Sequence, residues 1–210
     1  KTSFEGCPML KRIDLSNTKL TELKEEVFRN CVSLEEIIFP ENLLEIHDKC
    51  FMNTAVVNLK LPDSLTFLGN HVFSNCIELK TVKLGETLNV IEMSCFANCT
   101  NLKIVYSESC KKLDYIGYGA FTNCKSLEKI YTVGFNEPSL LFLTSHKSSN
   151  SSSILGYRKE KEEKILLIVT DIISKNIKDN KNFSDFLLIE EFTGFNYSKG
   201  ENVIFKVYKN

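Results

Sequence analysis

Cysteine is the residue with the most chemistry to offer in this 210-residue chain, which carries eight of them. Thiolates bind zinc or attack as nucleophiles only when spacing brings them to a common point. No Cys-x-x-Cys occurs, and Cys95 with Cys99 is the one close pair. Cys7, Cys31, Cys76, Cys99 and Cys124 instead recur at a long, regular interval, which stacks them as an interior column. Adjacent strands about 4.8 Å apart would suit a disulfide, but side chains in a ladder point alongside one another rather than at one another. The preferred reading is a set of buried reduced thiols acting as small hydrophobes. Cys50 and Cys95 should be packed as well, whereas Cys110, in an irregular stretch, is expected to be the most exposed.

The other candidates are weaker. His47, His71 and His146 share no repeat position and have no nucleophile or metal-ligand spacing around them in the sequence, so they read as surface or loop histidines. Gly194-Phe-Asn-Tyr-Ser-Lys-Gly200 has a superficial likeness to a phosphate loop, but the order is Lys-Gly where the motif needs Gly-Lys followed by Ser or Thr. A hairpin turn accounts for it. Asp171, Glu190 and Glu191 lack a convergent partner that would make them an acid–base pair. Glycan acceptor patterns begin at Asn98, Asn150, Asn182 and Asn196, the first inside a column expected to be buried. The sequence therefore predicts no catalytic set, no metal and no cofactor, and function is expected to reside in a surface.

Charge narrows the partners. Lys plus Arg number 26 against 27 Asp plus Glu, a net charge of -1. Before Ile154 the chain has 16 basic and 18 acidic residues, and from there on 10 and 9, so neither part is the basic patch that a phosphate backbone demands. Nucleic acid is disfavoured. The longest aliphatic run, Ile165 to Val169, is far short of the roughly 20 residues a bilayer requires, and the first residues show no signal-peptide core.

These residues are positioned by a repeat. Phe4, Phe28, Phe51, Phe73, Phe96 and Phe121 are separated by 24, 23, 22, 23 and 25 residues. Two residues after each stands Gly6 and then Asn30, Asn53, Asn75, Asn98 and Asn123; three after stands Cys in all copies but the third, which has Thr54. Leu follows at the sixth position and Ile or Val at the ninth, except that the third copy is one residue short and uses Val56 and Leu59. Period-two alternation around Ile37 and Val82 predicts one short strand per unit, closed by Pro40 or Pro62 in some copies. A second extended segment is expected around 43–46 and 65–68. A unit of this size cannot bury its apolar face alone, so six should stack into one core. The Asn column is expected to satisfy the turn backbone of adjacent layers rather than await a ligand.

The unit Phe-x-Asn-Cys-x-x-Leu-x-x-Ile-x-Leu-Pro-x-x-Leu-x-x-Ile, as in Phe28 to Ile46, resembles the BspA-like subclass of leucine-rich repeats over roughly residues 1–132. The third copy departs by Thr54 and its missing residue, the fifth by a two-residue insertion at 107–112 and the lack of Pro. The resemblance implies an α/β-type repeat solenoid, a right-handed superhelix of short parallel strands with about six repeats of 22–25 residues. It also implies adhesion or protein binding without enzymatic activity.

Three segments follow: a solenoid over 1–143, a Ser-rich linker or loop over 144–153, and a small α+β element over 154–210 that caps or docks. The first repeat would have a bare upstream face, which suggests a piece of a longer array. Apolar positions 165, 168, 169, 172 and 173 favour a helix, although the β-branched content also permits a strand. Residues 186–197 and 203–208 flank a turn and read as a hairpin.

Residues eight and ten after each Phe should face outward from the first strands. Toward the later repeats this ribbon turns apolar and aromatic, at Ile104, Tyr106 and Tyr131, beside Lys83 and Lys129, with Ile38 an earlier apolar member. Exposed Tyr with a cationic rim suits a protein interface; alternatively 135–143 folds back over it. The expected function is a non-enzymatic protein-interaction or scaffolding module. The alternatives are a structural subunit docked through 154–210 and a surface adhesin. Unpaired-looking thiols favour the cytoplasm, while the resemblance points to a cell surface.

Overall fold

A computed structural model describes residues 4–106, 110, 112–131, 166–170, 187–196 and 201–209. Each repeat contributes two short strands. The first strands are β1 (Arg12–Asp14), β3 (Glu36–Ile38), β5 (Asn58–Lys60), β7 (Thr81–Lys83), β9 (Ile104–Tyr106) and β11 (Lys129–Tyr131). The second strands are β2 (Glu22–Leu23), β4 (Glu45–Ile46), β6 (Phe67–Leu68), β8 (Val90–Ile91) and β10 (Tyr115–Ile116). All pairs between successive repeats are parallel, as stacking of like units demands. Near the C-terminus lie β12 (Leu166–Thr170), β13 (Leu187–Asn196) and β14 (Glu201–Lys209).

The second strands form one unbroken five-stranded sheet, but the first strands do not. β1 pairs only with β3, and a separate sheet begins at β5. The break falls where the third repeat lacks a residue: Leu59 follows its Phe by one position fewer than Ile37 and Val82 follow theirs. A missing residue shifts the alternation by half a pleat, and the ladder cannot continue through it. Val57 N–H still reaches the Glu35 carbonyl at 3.4 Å. Phe39 lies at this break, its ring edge-on to Phe51 at 5.8 Å.

The core is a set of columns. The repeat Phe rings stack face to face, with centroids 5.2 to 5.5 Å apart and interplanar angles of 3° to 11°. From Phe28 to Phe121 they are fully buried, among Leu34, Leu79, Leu102, Ile46, Leu68 and Ile91. Phe4, with nothing described before it in the stack, is 45% exposed.

The described residues contain no α-helix, so the α/β label gives way to an all-β solenoid whose second side is built of turns. Hydrogen-bond direction explains this. Around each Phe, alternate N–H groups donate to the next repeat: Glu26, Phe28 and Asn30 to the carbonyls of Asp48, Cys50 and Met52, and His71, Phe73 and Asn75 to those of Met93, Cys95 and Ala97. Donors committed between layers cannot also close i to i−4 bonds within one. The geometry requires two left-handed residues per turn. One stands two before Phe (Glu26, Lys49, His71, Ser94, Gly119) and the other two after it (Gly6, then the five Asn), with φ between 54° and 70°. Asn tolerates this region better than most side chains, which accounts for its recurrence.

The Asn side chains do not serve the turn backbone as expected. They bond to one another. Asn53 Nδ2 donates to Asn30 Oδ1 at 2.6 Å, Asn75 to Asn53 at 2.9 Å, Asn98 to Asn75 at 2.8 Å and Asn123 to Asn98 at 2.8 Å. A left-handed backbone aims every amide the same way, and the layer spacing of about 4.8 Å then lets one carboxamide reach the next.

The helix expected over 165–173 is corrected within 166–170. Residues 166–170 form β12, parallel to β11 on one side and antiparallel to β14 on the other. Ile168, Val169 and Thr170 are β-branched, and β12 finds a partner strand on each side, which outweighs the helical spacing. The hairpin is present as β13 and β14, in register from Leu187↔Lys209 to Asn196↔Glu201, with an irregularity between Leu188 and Glu190. Together these strands prolong the first-strand sheet to seven. The linker over 144–153 and the fold-back of 135–143 lie outside the described residues.

Asn75 separates the two contributions of the ladder. Asn75→Gly keeps the left-handed backbone and loses two amide bonds, whereas Asn75→Ala loses both. Urea denaturation should show Gly costing about 1–3 kcal/mol and Ala roughly 1 kcal/mol more. Equal costs would mean that the left-handed backbone contributes nothing to the choice of Asn.

Candidate interaction surface and the buried thiols

The first-strand sheet sets its outward residues in rows. Parallel register aligns Asn58, Thr81, Ile104 and Lys129 in one row and Lys60, Lys83 and Tyr106 in another, with Leu59, Val82 and Val105 buried between them. Lys83 is exposed, while Ile104 and Tyr106 are half-buried. Tyr131 ends β11, beside Ile168 of β12. Ile38 is set apart, because β3 belongs to the two-stranded sheet. The ribbon therefore groups Lys83, Ile104, Tyr106, Lys129 and Tyr131 on one sheet and places Ile38 beyond the break.

A second surface was not anticipated. On the outer side of the second strands, register aligns Glu22, Glu45, Phe67, Val90 and Tyr115. The row changes from acidic to apolar along the stack. Tyr115, Met93 and Tyr118 are 41%, 42% and 52% exposed. The same alignment of copies that revealed the first ribbon would have found this row, had it been applied to the position before each Leu23-type residue.

All eight thiols are free. Four of the five recurrent ones cap a carbonyl of the preceding layer: Cys31 Sγ donates to Phe4 O at 3.0 Å, Cys76 to Phe51 O at 3.3 Å, Cys99 to Phe73 O at 3.1 Å and Cys124 to Phe96 O at 3.2 Å. The column thus links layers as the Asn ladder does. Thr54 breaks the pattern by donating to Phe51 O within its own layer, at 2.9 Å, and it touches Cys76 Sγ at 3.3 Å. Cys50 and Cys95 are packed as expected. Cys110 is not the exposed thiol: it is fully buried, and its Sγ lies 3.4 Å from the Leu88 carbonyl. Its side chain fills a place in the same core as Leu113. Burial pushes the Cys76 and Cys110 thiols up to about 11, and raises Cys31, Cys50, Cys95 and Cys99 as well. Thiols held protonated are poor nucleophiles and poor metal ligands.

Stacked parallel strands, a Leu, Ile and Phe core and a repeated turn define a leucine-rich-repeat solenoid. The chain belongs to the BspA type leucine-rich repeat family, whose model matches in six copies over residues 1–128. Among solved structures it is similar to a leucine-rich repeat protein from Bacteroides ovatus, with 27% identity and a TM-score of 0.45, covering 64% of this chain and 42% of that one. A leucine-rich repeat protein of T. pallidum is 24% identical with a TM-score of 0.45, covering 59% of this chain and 68% of that one. A leucine-rich cell surface protein from Faecalibacterium prausnitzii is 22% identical with a TM-score of 0.43, covering 65% and 44% respectively. This chain thus spans less than half the length of the Bacteroides and Faecalibacterium proteins. No curated protein matches it. Among the described residues, no helix is long and apolar enough to cross a membrane.

Two outcomes test the thiol assignments. Seven of the eight cysteines are buried and Cys7 is half-buried, so native protein should alkylate quickly at Cys7 alone and at all eight in denaturant. Stability should also depend on pH. A thiol whose folded value is raised adds stability that is complete below its unfolded value and is lost as pH climbs toward the folded one. For Cys76 and Cys110 that window runs from 9.0 to about 11, with about 1.4 kcal/mol lost per pH unit per thiol. Urea midpoints of a Cys76→Ala/Cys110→Ala variant should therefore fall less steeply between pH 8.5 and 10.5 than those of the parent; parallel curves would refute the assignment.

Proposed function

We propose that the chain is a non-enzymatic protein-binding or scaffolding module that engages a protein partner through the outer face of the first-strand sheet. The observation that carries this reading is the register placing Lys83 beside Tyr106 and Thr81 beside Ile104 on one continuous sheet. Short strands held by the core present such side chains without further ordering, so little conformational entropy is lost on binding. Aromatic side chains with adjacent cations are the residue types that dominate binding energy at interfaces. Lys129 and Tyr131 would extend the contact along β11, and Ile38 would contribute only to a partner that crosses the break between β3 and β5.

A structural-subunit role through 154–210 would use that segment's own strands, of which β13 is the edge strand of the seven-stranded sheet. Adhesion at a cell surface rests on the family alone and would use the same ribbon.

Affinity capture from source-cell extract, with a Tyr106→Ala/Tyr131→Ala variant and a Lys83→Glu variant beside the parent, tests the proposal once unchanged thermal unfolding shows the fold intact. Each variant should weaken the captured partner by roughly thirtyfold, the effect of losing an interface residue worth about 2 kcal/mol. Capture unaffected by either variant would remove the ribbon from the account.

A further inference from the structure

The histidines show no metal-ligand spacing along the chain, but the stack supplies one across it. Glu22 and Glu45 are register partners on β2 and β4, and His47 follows Glu45 by two residues, on the same outer side of the sheet. Glu22 Oε2 lies 3.4 Å from His47 Nε2, and Glu45 Oε2 lies 3.3 Å from it. All three ligand atoms fall within 4.8 Å of one another. Nε2 itself is shielded from solvent and makes no hydrogen bond. Two carboxylates thus converge on a buried imidazole nitrogen, at separations longer than the usual span of a hydrogen bond.

Those separations have a different meaning for a coordinated ion. Nitrogen and oxygen ligands about 2.0–2.1 Å from zinc in tetrahedral geometry stand about 3.3–3.4 Å apart. We propose that Glu22, Glu45 and His47 form a three-ligand site for a divalent cation of the zinc class, with the fourth position open to water or to a side chain of a partner. One imidazole and two carboxylates form a borderline donor set that suits zinc better than calcium or magnesium, which take oxygen alone. Phe67, whose ring centroid is 6.1 Å from that of His47, walls one side. The ammonium of Lys24 already sits 2.6 Å from Glu22 Oε2. Lys24 is largely exposed, so its pairing with Glu22 is the weak surface kind that a divalent ion displaces. The buried thiols do not compete, because they are held protonated. This site is independent of the strand ribbon and stands whether or not that surface binds a protein.

The test uses the full chain, stripped of metal with EDTA and titrated with zinc alone against a chromophoric chelator at pH 7.5, with cobalt(II) as a spectroscopic substitute. One zinc should bind per chain and raise the thermal midpoint. Cobalt should give the strong visible bands of a tetrahedral nitrogen and oxygen site, without a thiolate charge-transfer band. Glu45→Gln and His47→Gln should each weaken zinc at least about tenfold, while His71→Ala should leave it unchanged. Lys24→Ala removes no ligand and should tighten binding a few-fold, so it reads the site even if a ligand variant folds poorly. Absence of zinc uptake by the parent chain, equal uptake by Glu45→Gln and His47→Gln, or a thiolate band would each overturn the proposal.

Discussion

Every feature of this molecule depends on one constraint, that each layer must present the same atoms at the same height as the layer before it. A single layer has too little apolar surface to fold. It becomes stable only when its Phe ring, its Leu and Ile side chains and its unpaired backbone groups find counterparts one repeat away. The Phe rings at 5.2 to 5.5 Å and the Asn amides at 2.6 to 2.9 Å are two readings of the same spacing. An aromatic stack alone would allow neighbouring layers to rotate or slide. The amide ladder and the thiol-to-carbonyl bonds are directional, and they fix what the stack leaves free.

The third repeat shows how much deviation that constraint tolerates. One missing residue ends the first-strand ladder between β3 and β5, yet the Phe stack, the Asn ladder and the second-strand sheet run through the same layer without interruption. Thr54 replaces the recurrent Cys in this layer and turns its hydrogen bond inward to its own Phe51. The damage is confined to two of several parallel sets of bonds, the first-strand ladder and the side-chain-to-carbonyl column. For the surface the consequence is larger, since outward rows cannot be continuous across a broken ladder, and Ile38 is separated from Lys83, Ile104 and Tyr106.

Much of this was legible in the sequence because a repeat reports its own geometry. The Phe interval gave the layers, the alternation around Ile37 and Val82 gave the first strands, and the shortened third copy marked where regularity would fail. What could not be read was direction. Nothing in the spacing of Asn says whether an amide turns to the backbone or to the next amide; the positive φ decides that, and φ is set by the turn as a whole. Cys110 illustrates the same limit, since a position in an irregular stretch looks exposed until its side chain is placed in the core. At 165–173 the apolar positions fitted both periods, and at 166–170 the available edge of β11 settled the choice in favour of a strand. The ribbon was legible as a row, but its grouping required the register.

Solenoids also change what counts as a sequence neighbourhood. Glu22 and His47 are 25 residues apart and would be dismissed by any search for closely spaced ligands, yet parallel pairing of β2 with β4 sets them side by side. In such a fold, functional groups assemble down a column rather than along a loop, and each additional layer contributes one side chain per row. The outer row of the second strands, from Glu22 and Glu45 to Phe67, Val90 and Tyr115, shows the result. The buried positions hardly vary because stacking forbids it. The outward positions are free of that demand, so chemistry can differ from one end of the stack to the other while the scaffold stays the same.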